Sequence, residues 1–384
     1  MKRLLFITWD GPQVSYLEGL FFPILEGLTP EYVIDVVQFT WGSRDKSDRL
    51  EALLAAAGMR YTRVDIKPRS IAPLGTLLTL LRGAFGLRSF IRSADVVLFR
   101  SNNPGLMVLP WMNRRRKWVF DADGLPLDER VDFGRLRRGS LYFRSMKWVE
   151  SVAVKKADRV MVRSMMALPA LTHEAPPDKF HVVLNGRDPN RYRLPEAGER
   201  AALRRELGVA EDELLLVYCG SLGAQYCLPE MIRLLEAVRK RRPAKLMILT
   251  GSPGYLEPGH GLLVFSLPPG EVPRYLGASD AGLAIRQQTP SMKAVSPVKL
   301  GEYLLCGLPV VASAGIGDSE GLLAGEPACL LLGDHSPASL ESAARWVEQA
   351  AGDKAVQNGA RRLGLEKFGL DAGILSYKKA LEEL

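Results

Sequence analysis

Residues 296–313 read SPVKLGEYLLCGLPVVAS, and this stretch predicts one complete helix followed by a buried strand. Ser296 is a favourable N-cap, and Pro297 suits the first helical position, where its missing N–H group costs nothing. Gly307 supplies a left-handed end to the helix. The apolar residues 310–312 that follow are typical of a strand inside a parallel sheet. The stretch therefore predicts one helix–strand unit of an open α/β sheet.

The start of this helix is also a candidate anion site. Backbone N–H groups at a helix start carry a partial positive charge that suits a phosphate. Lys299 adds a cation in the first turn, and Glu302 lies about one turn and a half inside the helix. A carboxylate accepts two hydroxyl hydrogens at once, so Glu302 would suit the diol of a ribose. These residue types in this order indicate a nucleotide site.

The same residues resemble the donor-nucleotide segment of family 4 glycosyltransferases. The resemblance implies the GT-B fold, an α/β fold in which two Rossmann-like domains face a central cleft. It also implies that a helix start holds the donor diphosphate and that Glu302 binds the ribose. The alternative is an ordinary helix–strand unit of any doubly wound domain.

Length and composition bound the class of protein. A chain of 384 residues with 47% hydrophobic residues predicts two globular domains of ordinary size. The four cysteines follow no metal-ligand spacing, and free thiols in a reducing cytoplasm are the simplest account. Residues 71–90 form the most apolar stretch, but proline, glycine and arginine interrupt it, so we predict no transmembrane helix. Residues 4–7 already read as a strand, so we expect no signal peptide.

Alternating strands and helices predict βαβ units and a parallel sheet in each half of the chain. The predicted strands are residues 4–8, 33–39, 61–65, 96–99, 118–121, 160–162 and 181–184, then 214–218, 245–250, 262–265, 282–285, 309–312 and 329–332. The clearest predicted helices are residues 16–27, 49–57, 141–156, 229–240, 337–349, 354–368 and 373–384.

Turn-forming residues mark the linker between the two domains. Residues 185–189 read NGRDP, and another proline follows at Pro195. We predict an N-terminal acceptor-binding domain over residues 1–190 and a C-terminal nucleotide-sugar domain over residues 191–370. The resemblance implies that the last helix, residues 371–384, crosses back to the N-terminal domain.

The turn Gly220-Ser221-Leu222-Gly223 opens the second predicted domain, where glycines let backbone approach a ligand closely. Many family members follow this turn with an arginine and a lysine that neutralise the diphosphate. Here residues 224–227 read AQYC, so the charge must come from elsewhere. We expect it first from Lys299, then from Lys293 and Arg286. The full set predicted to bind the nucleotide-sugar is Gly220, Ser221, Gly223, Leu267, Arg286, Lys293, Ser296, Pro297, Val298, Lys299 and Glu302.

A second departure concerns the donor sugar. The family pairs its ribose glutamate with another glutamate eight residues earlier, and Ala294 stands at that position. The polar residues Gln287, Gln288, Thr289, Ser291 and Lys293 are the alternative sugar contacts. The sequence therefore leaves both the base and the sugar of the donor unidentified.

The acceptor is expected to meet the N-terminal domain. Asp121 and Asp123 end a predicted strand, and Gly11, Pro12 and Gln13 form the first loop after a strand. Asp121, Asp123 and Lys299 are the candidate catalytic residues, although a strand-end aspartate also caps turns. Asp121 and Asp123 have metal-like spacing, yet the resemblance implies a reaction that needs no metal and no other cofactor.

The net charge of +8 is unevenly distributed. Residues 1–195 hold 31 basic against 20 acidic residues, a net of +11. Basic residues alternate with large apolar ones over residues 81–92 and again over residues 135–148. Solvated helix faces explain such runs, and docking on an anionic membrane surface is the other reading.

The resulting hypothesis is a retaining, hexosyltransferase-like enzyme that moves a sugar from a nucleotide-sugar to a glycan or lipid-linked acceptor. We expect a role in bacterial cell-surface polysaccharide synthesis, in the cytoplasm or at the inner face of the cytoplasmic membrane. A sugar-nucleotide epimerase of the same fold is the alternative. A nucleic-acid-binding protein fits less well, since no recognition motif accompanies the basic excess.

Overall fold

The computed structural model describes residues 1–11, 16–173, 175–254, 256–382 and 384. The chain forms two compact units. Unit 1 comprises Met1–Leu184 and Gly373–Leu384, and unit 2 comprises Asn185–Ala372.

Unit 1 is built on a seven-stranded, fully parallel sheet. Its strands are β1 (Lys2–Asp10), β2 (Tyr32–Thr40), β3 (Arg60–Asp65), β4 (Val96–Arg100), β5 (Lys117–Asp121), β6 (Arg159–Val162) and β7 (Phe180–Val182). Their order in the sheet is β3-β2-β1-β4-β5-β6-β7. The helices are α1 (Phe22–Glu26), α2 (Arg44–Ala56), α3 (Ala72–Ser93), α4 (Asn102–Val108), α5 (Pro126–Asp132), α6 (Leu141–Lys156) and α7 (Leu168–Leu171).

The central strands of unit 1 are apolar on both faces, as a sheet covered by helices requires. Leu4, Leu5, Phe6 and Ile7 of β1 are all buried, and so is β4 next to it. The chain reverses direction across the sheet after β3, because β4 pairs with the opposite edge of β1. Side chains at the carboxyl ends of β1, β4 and β5 therefore meet at one edge, where open α/β sheets bind their ligands.

Unit 2 is built on a six-stranded parallel sheet in the order β10-β9-β8-β11-β12-β13. These strands are β8 (Leu214–Cys219), β9 (Ala244–Leu249), β10 (Leu262–Phe265), β11 (Ala281–Ala284), β12 (Val310–Ser313) and β13 (Cys329–Leu332). The helices are α8 (Glu199–Glu206), α9 (Leu228–Arg239), α10 (Val272–Gly277), α11 (Val298–Leu305), α12 (Ser319–Leu323), α13 (Pro337–Ala350) and α14 (Lys354–Phe368). Helix α15 (Leu370–Leu381) begins in unit 2, and from Gly373 onward it belongs to unit 1.

Alternate residues of β8 supply the two core layers of unit 2. Leu215 and Val217 pack with Tyr303, Leu304 and other residues of α11 on one face. Leu214, Leu216 and Tyr218 pack with α9 and α13 on the other. The predicted α/β class, with two parallel sheets, is confirmed, and each of the thirteen predicted strands is present within a few residues of its expected bounds.

The clearest predicted helices do not include residues 71–90, where proline, glycine and arginine interrupt the apolar run. These residues lie almost wholly in α3, one continuous helix of 22 residues. Pro73 falls in the first turn, where it is tolerated, and Gly75 and Gly83 face the protein, where they allow close packing. Among the described residues, α3 alone is long and apolar enough to cross a membrane by length and composition.

The bounds of the units also differ from the predicted ones, which lay at residues 190 and 370. The side-chain amide of Asn185 donates to the carbonyl oxygen of Ser296 at 3.0 Å, and the backbone N–H of Arg187 donates to Phe368. These bonds tie the chain to unit 2 from Asn185 onward. At the other end, Ser376 Oγ accepts the N–H of Leu184, within unit 1.

Candidate functional site

Helix α11 packs on one face of the unit 2 sheet, and close packing against α14 holds it there. A Cβ atom added to Gly301 would lie 2.8 Å from Phe368, and one added to Gly364 would lie 2.7 Å from the backbone of Leu305. Only glycine permits this approach. Tyr303 fixes the neighbouring loop, since its hydroxyl accepts the N–H of Cys219 at 2.7 Å.

The start of α11 differs by one residue from the prediction. Pro297 is the N-cap, with an extended backbone (φ −69°, ψ 111°), and the helix begins at Val298. Ser296 is therefore not the cap, and its carbonyl oxygen is used by Asn185 instead. The first free N–H groups of the helix belong to Val298 and Lys299.

Lys299 turns inward from this helix start and is buried. Its Nζ atom lies 4.0 Å from the ring centre of Tyr218 and 4.7 Å from that of Tyr226. Within the part of the chain that the structure describes, no atom accepts a hydrogen bond from Nζ. Burial lowers the pKa of Lys299 well below its ordinary value, and the nearby Arg286 lowers it further.

Gly220 brings the glycine turn against this lysine. A Cβ atom there would lie 3.0 Å from Lys299 Nζ, and the backbone has φ +145°, which side chains rarely adopt. Ser221, next in the turn, accepts the hydroxyl of Tyr218 through its carbonyl oxygen. The turn and Lys299 are thus in close contact.

Arg286 is the second buried cation. Its guanidinium carbon lies 4.8 Å from the ring centre of Tyr226, so one ring contacts both cations. The backbone N–H of Arg286 donates to Ser313 Oγ, which lies 2.9 Å from His335 Nε2. Of the described carboxylates, none forms an ion pair with Arg286 or Lys299.

Glu302 projects from the second turn of α11 and is mostly buried. Its Oε1 atom accepts the hydroxyl of Tyr192 at 3.0 Å and lies 3.3 Å from Nε of Arg187. Burial raises the pKa of Tyr192, and the Glu302 carboxylate raises it further. Both of these contacts are made to the same carboxylate oxygen of Glu302.

The other residues predicted for the donor lie around this group in different ways. Gly223 precedes a 3-10 turn (Ala224–Tyr226) that carries Tyr226. Leu267 is partly buried against the core that α11 shares. Lys293 is exposed on the turn Pro290–Ala294, whereas Lys299 and Arg286 are buried. Gln288 donates to the carbonyl oxygens of Ala314 and Gly333.

In unit 1, Asp121 is part of a buried ion network at the end of β5. Its carboxylate accepts Arg163 Nη2 at 2.6 Å and the N–H of Asp123 at 3.0 Å, and the side chain is wholly buried. Burial raises the pKa of Asp121, while Arg163 opposes that shift. Arg163 also donates to the hydroxyl of Tyr377 at 2.8 Å. Asp121 is thus fully engaged in holding this edge of the sheet.

Asp123 is the accessible carboxylate of the network. It is about 27% exposed, accepts a hydrogen bond from Arg100 and has a left-handed backbone (φ +52°). Ser101, which follows Arg100, also has positive φ (+64°). Such conformations collect at functional sites, where the surrounding structure must maintain them.

Asp10 joins the same edge from β1. It accepts Gln38 Nε2 at 2.6 Å and lies 3.9 Å from Arg100. Burial raises the pKa of Asp10, while Gln38 and Arg100 oppose the shift. Gly11 is exposed. Pro12 and Gln13 lie outside the described residues.

Sequence reasoning missed Arg187, Tyr192, Tyr218 and Tyr226 in unit 2, and Asp10, Arg100 and Arg163 in unit 1. The unit 1 residues had a usable signal, because Arg100 and Arg163 directly follow predicted strands and Asp10 lies two residues after one. No sequence pattern marked the tyrosines, because their positions depend on which loops come together in the fold. Among the described residues there is no group of three or more side chains that could hold a metal ion.

No protein-family model matches the chain, and no curated protein matches it. Solved structures do. Anabaena HepE, solved with UDP and glucose, is 15% identical over the full length of both chains, with a TM-score of 0.73. The sucrose-phosphate synthase of Thermosynechococcus elongatus is 14% identical over 100% of this chain and 99% of its own, with a TM-score of 0.71.

WaaG, a glycosyltransferase involved in lipopolysaccharide biosynthesis, is 16% identical over 98% of both chains, with a TM-score of 0.69. Identities this low establish the fold alone, so the activity has to be argued from the geometry of the candidate site. The chain has the GT-B fold of these glycosyltransferases.

Proposed function

We propose that the protein is a retaining glycosyltransferase that binds its nucleotide-sugar donor in unit 2. One observation carries the proposal. Lys299 and Arg286 are buried together against Tyr226 with no described carboxylate to pair them. A buried cation without a partner is costly, so a site of this kind is built for an anionic ligand. HepE, which shares the fold, has been solved with UDP and with UDP-glucose.

The donor would be held along α11. Its diphosphate would accept hydrogen bonds from Lys299, Arg286 and the backbone N–H groups of the Gly220–Gly223 turn and of the helix start. Glu302 would accept hydroxyls of the ribose, and backbone near Leu267 would meet the base. Ser296, Pro297 and Val298 would shape the helix start, and Lys293 would contact the sugar from its exposed turn.

The same groups would stabilise the transition state. The bond from the anomeric carbon to the diphosphate oxygen breaks, and negative charge collects on the leaving diphosphate, where Lys299 and Arg286 lie. The acceptor oxygen forms its bond on the same face, which retains configuration, and its proton passes to the leaving diphosphate. Two cations meet the charge, so we propose that no metal or other cofactor is needed.

The acceptor would bind at the carboxyl edge of the unit 1 sheet. Asp123 is the candidate catalytic residue there, because its carboxylate is partly exposed and can accept the acceptor hydroxyl. Asp121 would position Asp123 through Arg163 and the Asp123 N–H rather than touch the acceptor. Gly11, Pro12 and Gln13 would line the acceptor side.

We further propose a glycan or lipid-linked acceptor in bacterial cell-surface polysaccharide synthesis, with the enzyme in the cytoplasm or on the inner face of its membrane. The role of WaaG in lipopolysaccharide biosynthesis supports this choice without extending to the acceptor itself.

A thermal-shift screen of nucleoside diphosphates and nucleotide-sugars tests the donor. A ligand present at 100 times its Kd should raise the free energy of unfolding by about 2.7 kcal/mol. We expect UDP or another nucleoside diphosphate to stabilise the protein and the matching nucleoside to do so far less. No stabilisation by any nucleotide would reject the proposal. Turnover of the donor in the absence of any acceptor, with epimerisation and no hydrolysis, would favour the epimerase instead.

A further inference from the structure

Helix α3 packs on unit 1 through a face of small and apolar residues. Gly75, Thr79, Gly83, Leu87 and Ile91 recur every four residues and are buried. A Cβ atom on Gly83 would lie 2.3 Å from the sulfur of Met107, so this face is in tight contact with α4. Leu87 lies within the run of basic and apolar residues 81–92, but its side chain belongs to this inner face.

The outer face of the same helix exposes large apolar side chains. Leu74, Leu77, Leu81 and Phe85 follow helical spacing and are 41%, 54%, 55% and 76% exposed. Ile71, just before the helix, is 56% exposed. Contiguous apolar surface of this kind on a folded protein marks an interaction site.

The outer stripe becomes basic in its second half. Helical spacing continues from Phe85 to Arg88 and Arg92, which are exposed. Arg116 donates to the carbonyl oxygens of Ile91 and Arg92, and this brings the exposed Arg114 and Arg115 to the same end of α3. We call Leu74, Leu77, Leu81, Phe85, Arg88 and Arg92 the α3 face.

In the other basic run of unit 1, residues 135–148, two of the five basic side chains are paired with carboxylates. Lys147 lies 2.8 Å from Asp128 and 2.6 Å from Glu150, and Arg138 lies 3.3 Å from Asp128. These carboxylates neutralise their partners. By contrast, α3 contains no aspartate or glutamate at all.

We propose that the α3 face docks on an anionic lipid bilayer, with α3 lying in the plane of the surface. The leucines and Phe85 would enter the boundary between headgroups and acyl chains, while the arginines would meet anionic headgroups. A second copy of the chain fits less well, because α3 offers no carboxylate and the pairing would bury arginines without partners. The inference goes beyond the proposed transferase activity and does not depend on it.

The test is co-sedimentation of the full chain with vesicles of equimolar phosphatidylglycerol and phosphatidylcholine, and with vesicles of phosphatidylcholine alone. We expect binding to the first at low salt, weak binding to the second, and release as salt rises. Leu77→Ser/Leu81→Ser should reduce the partition coefficient at least tenfold. Arg88→Gln/Arg92→Gln should abolish most of the preference for anionic vesicles.

Leu53→Ser in α2 and Leu365→Ser in α14 are matched controls, since both leucines are similarly exposed and lie on other helices. Both should bind vesicles like the unaltered protein. Thermal melting should be unchanged in every variant. The single substitution Phe85→Ser, at the most exposed position of the α3 face, should also weaken vesicle binding. No vesicle binding, equal binding to neutral vesicles, or equal loss in the controls would overturn the proposal. So would a dimer in sedimentation velocity that Leu77→Ser/Leu81→Ser dissociates.

Discussion

Replacing Lys299 by methionine should stabilise the free protein and weaken its binding of a nucleoside diphosphate. Methionine nearly preserves the buried volume beside Tyr218 and Tyr226 and removes an amine that has no hydrogen-bond acceptor among the described residues. An unsatisfied buried donor costs about 1–3 kcal/mol, so the free energy of unfolding should rise by a similar amount. In a domain of this size each kcal/mol corresponds to about 2–4 °C in Tm.

The same substitution removes a charge-assisted hydrogen bond to the diphosphate, worth about 1.5–3 kcal/mol. Calorimetric titration should therefore show at least a tenfold loss of UDP affinity, with the weak binding of uridine unchanged. Lys293→Met is the matched control, because Lys293 is exposed on the adjacent turn and should alter neither Tm nor affinity to this degree. A Lys299→Met protein that melts lower, or that binds UDP as tightly as before, would refute the reasoning.

Four further predictions concern the donor and acceptor sites. Burial and Arg286 lower the pKa of Lys299 below its ordinary 10.5, so the stability advantage of Lys299→Met should be full below the lowered pKa and shrink as pH rises towards 10.5. For the same reason UDP binding should take up a proton at a pH between the lowered pKa of Lys299 and 10.5. Calorimetry over the neutral and alkaline range, in two buffers of different ionisation enthalpy, would measure it, and a heat independent of buffer at every pH would contradict this. Glu302→Gln should weaken UDP at least tenfold relative to inorganic diphosphate, and equal losses would show that the ribose is held elsewhere. Asp123→Asn should lower kcat/KM for the acceptor by at least tenfold with UDP affinity unchanged, whereas Asp121→Asn should lower Tm as well, because it weakens a buried ion pair.

Much of the fold was predictable because most of the strands are apolar runs bounded by turn formers. Parallel sheets bury both faces of their strands, so β1, β4 and β8 are continuous in the sequence as well as in the structure. The helix–strand unit at residues 296–313 was predicted to within one residue. Its exact start was not, because an extended Pro297 serves as the cap in place of Ser296.

Other features depend on tertiary contacts that a linear pattern does not contain. The glycines and arginines of α3 interrupt the apolar run in sequence, yet in the helix Gly75 and Gly83 are buried and the arginines are exposed. In the candidate site, Lys299 and Glu302 could be chosen from their place in one helix. Tyr226 and Arg286 meet Lys299 from separate loops, and Arg187 and Tyr192 reach Glu302 from the segment that opens unit 2.

The central claim is that Lys299, Arg286 and Glu302 bind a nucleoside diphosphate, and a crystal structure with the diphosphate selected by the thermal-shift screen tests it most directly. We predict diphosphate oxygens within about 2.7–2.9 Å of Lys299 Nζ and of the Arg286 guanidinium. We also predict ribose hydroxyls on the carboxylate of Glu302. A diphosphate bound elsewhere, with Lys299 still enclosed by Tyr218 and Tyr226 and in contact with no anion, would contradict the account.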